Sequence, residues 1–197
     1  MVEKLSTRIR SPSEAEVRCG CSTFQPFNFS TINASTFQPM NEVSNELLAV
    51  LKTAEPLLRH ITPEQARQKP GPEKWAPQEI IGHLIDSACN NQQKFVRSMA
   101  TPQLEFVGYA QDFWVAAQQY QQAEWATVLD LWLAYNRHLA HVIRHVDPAV
   151  LQHTLHIDGA GPFELGFIMA DYVEHLKHHL RQIFSDGPFE SKFLNLY

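Results

Sequence analysis

From Asn41 onward, apolar side chains recur at three- and four-residue intervals through Val43, Leu47, Leu48, Leu51, Leu57 and Leu58. That is the period of a helix with one buried face, and it predicts a first helix ending near His60. Thr62-Pro63-Glu64 reads as a cap followed by proline at the first helical position, opening a short turn before the breaker run Pro70-Gly71-Pro72. Proline also opens the second long helix, predicted from Ala76-Pro77 to about Met99. Its apolar stripe is Ile80, Leu84, Ala88 and Phe95, widened by Ile81 and Ile85. Beside that stripe runs a polar line of His83, Ser87, Asn90 and Lys94, which suits either a site between helices or a solvated face. Val128, Trp132, Tyr135, Leu139, Val142 and Val146 fall close to a heptad pattern and predict a third helix over Gln122–Val146. A fourth should run from Phe163 to about Phe184. The expected fold class is therefore all-α, a helical bundle.

The connections are predicted to be irregular. Thr101 to Gln122 should hold one short helix at Gln111–Ala117, with Phe106, Tyr109, Phe113 and Trp114 packing over the bundle as a lid or wall. The link between the third and fourth helices carries His153, His156 and the turn Asp158-Gly159-Ala160-Gly161-Pro162, and its histidines are expected near the rim. After Gly187-Pro188 the chain should form a tail that packs on the bundle or on a second subunit.

Residues 1–39 break the pattern. They are rich in Ser, Thr, Asn and Pro, show no sustained apolar period, and contain Ser-Thr-Phe-Gln-Pro twice, at 22–26 and 35–39. We expect a disordered extension there, or upstream sequence with the native start at Met40, and a bundle domain over 40–197.

Composition narrows the function classes. Sixteen Lys and Arg against 21 Asp and Glu give a formal charge of −5 with no basic stripe, which argues against nucleic acid as a partner. No apolar run approaches the roughly 20 residues of a membrane span. Three cysteines, Cys19, Cys21 and Cys89, match neither a disulfide framework nor a zinc-finger spacing, so a cytoplasmic location is expected.

Ten histidines are many for 197 residues, and their spacing carries the chemistry. On a helix, His175 and His179 point within roughly 40° of each other, one turn apart. A third imidazole, His83 on a neighbouring helix, would complete a three-nitrogen set that leaves a divalent cation an open position for water or thiolate. Neutral imidazoles leave the ion its full charge, so a bound water is strongly acidified. Asp171, four residues before His175, Asp86, three after His83, and Glu174 are candidates to hold ligand imidazoles in the right tautomer, with a structural ion pair the competing role for each. Asp171 is best placed by angle. His178 lies about 60–100° around the helix, which makes it an alternative ligand or a neighbour. His138, His141 and His145 also have metal-binding spacing, but they lie at the edge of the core stripe beside Arg137 and Arg144, which oppose a cation, so they do not read as a metal site.

Lys74-Trp75, the run Glu79-Ile80-Ile81-Gly82-His83-Leu84-Ile85-Asp86-Ser87 and the later His175-x-x-His178-His179-Leu-Arg-Gln182-Ile183 resemble the DinB-like superfamily, which includes thiol-transferases. The resemblance spans about residues 41–184. It implies an up-down-down-up four-helix bundle, commonly a homodimer, whose divalent ion is held by His83, His175 and His179. The ion it implies is nickel, zinc, iron or manganese. The activity it implies is addition of a low-molecular-weight thiol to an electrophilic small molecule, and DNA binding does not follow from it. The combined expectation is a metal-dependent thiol S-transferase or hydrolase. Two other readings stand beside it. One is a non-catalytic metal-binding or stress-response bundle, its ion closed off by a fourth ligand such as His178 or Asp171. The other is a metal-free small-molecule binding module whose pocket is lined by the polar line.

Overall fold

Four helices of 19 to 24 residues carry the fold in a computed structural model that describes residues 40–194. The expectations for residues 1–39, their two repeats, Cys19 and Cys21 lie outside the described residues. In chain order the elements are α1 (Met40–Arg59), α2 (Pro63–Arg67), α3 (Pro77–Ala100), β1 (Gln103–Phe106), α4 (Gln111–Ala117), α5 (Trp125–Arg144), β2 (Thr154–Ile157), β3 (Ala160–Glu164) and α6 (Leu165–Ile183).

Helix starts follow the local chemistry. Thr62 and Gln65 close a reciprocal capping box at α2, with Pro63 at its first position. At α3 the Ala76 N–H donates to Glu79 Oε2 at 2.8 Å, and Lys69 pairs with the same carboxylate at 3.0 Å. The helix thus begins where Pro77 sets φ and an acid satisfies an otherwise orphan donor.

The apolar stripes meet in one core. Leu47, Leu51 and Leu58 of α1, Ile81, Leu84 and Phe95 of α3, Trp132, Leu139 and Ile143 of α5, and Met169, Leu176 and Leu180 of α6 are all buried. Leu48 and Leu57, counted in the first stripe, face outward. Tyr172 is buried with its hydroxyl on Asn136 Oδ1 at 2.5 Å, so the polar end of a large side chain is satisfied inside the core.

Side-chain contacts give the helix directions. Ser44 at the start of α1 donates to the Ala140 carbonyl near the end of α5, while Arg59 at the end of α1 pairs with Asp130 near the start of α5, so the two run antiparallel. His83, early in α3, meets His175, late in α6, so that pair is antiparallel as well. Around the bundle α1 packs on α5 and α6, and α3 packs on the same two helices.

The all-α expectation needs correction, because a small sheet replaces the predicted irregular connections. Its order is β1-β2-β3, with β1 parallel to β2 and β2 antiparallel to β3. β1 directly follows α3, and β3 runs straight into α6, so the sheet ties both helices together at one end. Leu104, Phe106, Leu155 and Ile157 bury one side of it. Two boundaries also move: α5 begins at Trp125 rather than Gln122, after a 3-10 turn at Tyr120–Gln122, and α6 begins at Leu165 after the strand that takes up Phe163. The tail packs on the bundle, with Phe189 buried against the core.

Candidate metal centre

The polar line of α3 faces α6. His83 Nε2 lies 3.4 Å from His175 Nε2, which is 3.0 Å from His179 Nε2, and one ligand atom from each of the three residues falls within 4.8 Å of the others. Three nitrogens bonded at 2.0–2.1 Å to one ion stand about 2.9 Å apart at right angles and about 3.3 Å apart at tetrahedral angles. The two separations from His175 lie close to that range and the third pair falls within 4.8 Å, so these residues fit a divalent cation. Among the described residues this is the one such group of three or more His, Cys, Asp or Glu.

The backs of two rings have polar partners. His175 Nδ1 contacts Ser87 Oγ at 3.3 Å, and His179 Nδ1 contacts Gln182 Oε1 at 3.1 Å. The Gln182 oxygen accepts, which puts the His179 proton on Nδ1 and turns a lone pair on Nε2 into the cluster, and the Ser87 hydroxyl is compatible with the same tautomer at His175. Burial keeps the imidazoles neutral. His83 is pushed down to about 3 by burial and then by His179. Burial takes His179 down to about 4, with the Gln182 hydrogen bond opposing it and His178 adding to it. His175 falls well below the ordinary 6.5, again first through burial and then through His179 and His83. Three converging lone pairs in a poorly solvated place repel one another unless a cation sits among them.

Aromatic rings wall the cluster. Trp75 lies 5.0 Å from the His83 ring and 6.4 Å from that of His179; Tyr109 stacks on His83 at 6.5 Å; Phe193 meets His175 edge-on at 4.9 Å. Tyr109 and Trp114, expected as cover, do pack together, while Phe113 stays exposed.

Asp86 is buried one turn beyond His83. Its Oδ1 accepts the Tyr120 hydroxyl at 2.7 Å and the Gln118 amide at 2.6 Å. Burial raises its pKa and those two bonds oppose the rise. The network exists because position 82 is glycine: a Cβ there would stand 2.2 Å from the Tyr120 ring. Gly82→Ala therefore forces Tyr120 off α3. We expect a loss of about 1–3 kcal/mol, reduced by up to about 1 kcal/mol of helix propensity, seen as a lower urea midpoint. An unchanged midpoint would refute this close-packing role.

Asp171 is buried one turn before His175, and its charge acts on Lys94. Burial pushes the Lys94 ammonium down to about 8, while Asp171 and Asp158 hold it up. The partners on Nδ1 of His175 and His179 are Ser87, read from the sequence on the polar line, and Gln182, neither of which was assigned this task. Glu174 holds Lys177 and the tail. His178 is exposed beside Gln182. His138, His141 and His145 are exposed on α5, His153 Nδ1 bonds the Ser98 carbonyl at 2.5 Å, and His156 lies 3.1 Å from Glu105. None of these joins the cluster.

No curated protein matches the chain. Among solved structures, YfiT from Bacillus subtilis, described as a probable metal-dependent hydrolase with an unusual four-helix bundle topology, superposes with a TM-score of 0.66 at 20% identity, covering 82% of this chain and 90% of that one. At that identity the likeness is one of fold. The sequence profile of the DinB superfamily matches residues 46–183, from within α1 to the end of α6. The chain belongs to the DinB superfamily.

Proposed function

We propose that this protein is a metal-dependent enzyme, a hydrolase or a thiol S-transferase, in which His83, His175 and His179 hold one divalent ion. The observation that carries this reading is the convergence of three Nε2 atoms at separations suited to one ion. Membership of the DinB superfamily and the metal-dependent description of YfiT support it. The helix directions agree with an up-down-down-up bundle.

When bound, the ion would supply Lewis acidity, lowering the pKa of a water or thiol beside it. The chain supplies the rest. Gln182 holds His179 in the ligating tautomer, and Ser87 contacts the back of the His175 ring. Trp75, Tyr109 and Phe193 exclude bulk water, which strengthens every charge interaction inside. Asp86 Oδ2 is buried with no hydrogen-bond partner among the described residues, and we assign it the proton released in the site. The open position separates this reading from a closed, purely structural ion, since three protein ligands leave room for a reacting molecule.

A small-molecule substrate, a low-molecular-weight thiol as co-substrate, a cytoplasmic site of action and a homodimeric state complete the proposal. Nickel, zinc, iron and manganese all suit three nitrogens. The test is a turnover panel with protein loaded with each ion: activated esters and amides, and small thiols paired with electrophiles. Turnover in one class identifies the reaction, and none in any class contradicts the enzyme reading.

A further inference from the structure

The chain continues past the family match, which ends at residue 183, and folds back onto the metal centre. Phe189 is buried in the core. Ser191 Oγ then donates to the Glu174 carbonyl at 2.8 Å, and the Lys192 N–H donates to Glu174 Oε2 at 2.6 Å. Both bonds fall on the residue immediately before His175. They deliver the Phe193 ring to His175, 4.9 Å between centroids with planes 69° apart, and to His178 at 5.6 Å.

His175 is only weakly held from behind. Its Nδ1 has only a long 3.3 Å contact to Ser87, whereas His179 Nδ1 meets Gln182 Oε1 at 3.1 Å. A long contact leaves the ring freedom to swing, and packing against an aromatic face removes it. We propose that Phe193 is a positioning residue of the metal centre, and that the segment 189–194 is a strap whose docking and the binding of the ion reinforce each other. This inference rests on the reading of His83, His175 and His179 as ligands. The coupling is reciprocal: whatever factor the docked strap adds to ion affinity, the ion adds to strap docking.

The test uses the full chain and cobalt(II), whose visible absorption reports ligand geometry. Phe193→Ala should bind cobalt(II) about tenfold more weakly, the lower end for loss of an outer-shell partner, with altered visible bands and unchanged helical content. Phe193→Tyr should restore both affinity and spectrum. In the wild-type protein, tryptic cleavage after the exposed Lys192 should slow severalfold when cobalt(II) is added. Wild-type affinity and spectrum in Phe193→Ala, or cleavage indifferent to cobalt(II), would overturn the strap. A wild-type protein that takes up no cobalt(II) would instead overturn the ligand reading, and the strap's role with it.

Discussion

Replacing His83, His175 or His179 by alanine is expected to abolish metal-dependent turnover and to weaken ion binding by more than the roughly 10–100-fold that loss of an outer-shell partner costs. Each imidazole supplies one of three bonds, and no nearby side chain substitutes for it. His178 is exposed and directed at Gln182, and Asp171 is engaged with the charge of Lys94. The helical scaffold should survive, because its core rests on the apolar stripes of α1, α3, α5 and α6. His178→Ala and His141→Ala are the controls and should keep ion affinity. Equilibrium titration with a competing chelator checks all five variants. Affinity that survives the loss of any one member of the triad would remove that residue from the ligand set.

Acid should destabilise the metal-free protein well before ordinary carboxylates titrate. In the unfolded chain a histidine takes its proton near pH 6.5, while in the fold His83 waits until about 3 and His179 until about 4, with His175 also held low. Between those values the unfolded state binds protons that the native state refuses. The stability is thus complete above about pH 6.5 and drains away as pH falls toward 4. Three imidazoles held neutral give a limiting slope of about 4 kcal/mol per pH unit, and partial relaxation of the site makes the real slope shallower. Urea unfolding at a series of pH values from 7 to 4.5 measures it. A triple His→Gln variant should flatten the curve, and saturating zinc should move the loss to lower pH, because the ion binds the native state alone. A metal-free wild-type protein as stable at pH 5 as at pH 7 would contradict the account of three buried neutral rings.

The long helices were legible because a buried face repeats over five or more turns, and the pairing of His175 with His179 because four residues is one helical turn. His83 could be offered as the third imidazole because it sits on a polar line beside a core stripe, and the resemblance agreed, but periodicity places residues on faces without saying which faces meet. The sheet was missed for a physical reason. Leu104 with Phe106, and Leu155 with Ile157, alternate over only four residues, and β1 pairs with a strand some fifty residues away. One local signal was present: Asp158-Gly159, whose φ values of 49° and 82° form the tight turn between β2 and β3. Tyr120 over Gly82 left no trace in pattern, because a missing side chain carries no period. The same holds for Phe193, which reaches His175 through two hydrogen bonds to Glu174 rather than through any repeat.

The measurement closest to the central claim is X-ray absorption on the protein loaded with one equivalent of zinc, since multiple scattering from imidazole rings counts them. Three imidazole nitrogens at 2.0–2.1 Å with a further light-atom ligand is the predicted result. A shell with fewer than three imidazoles, or a protein that retains no zinc after gel filtration, would contradict it.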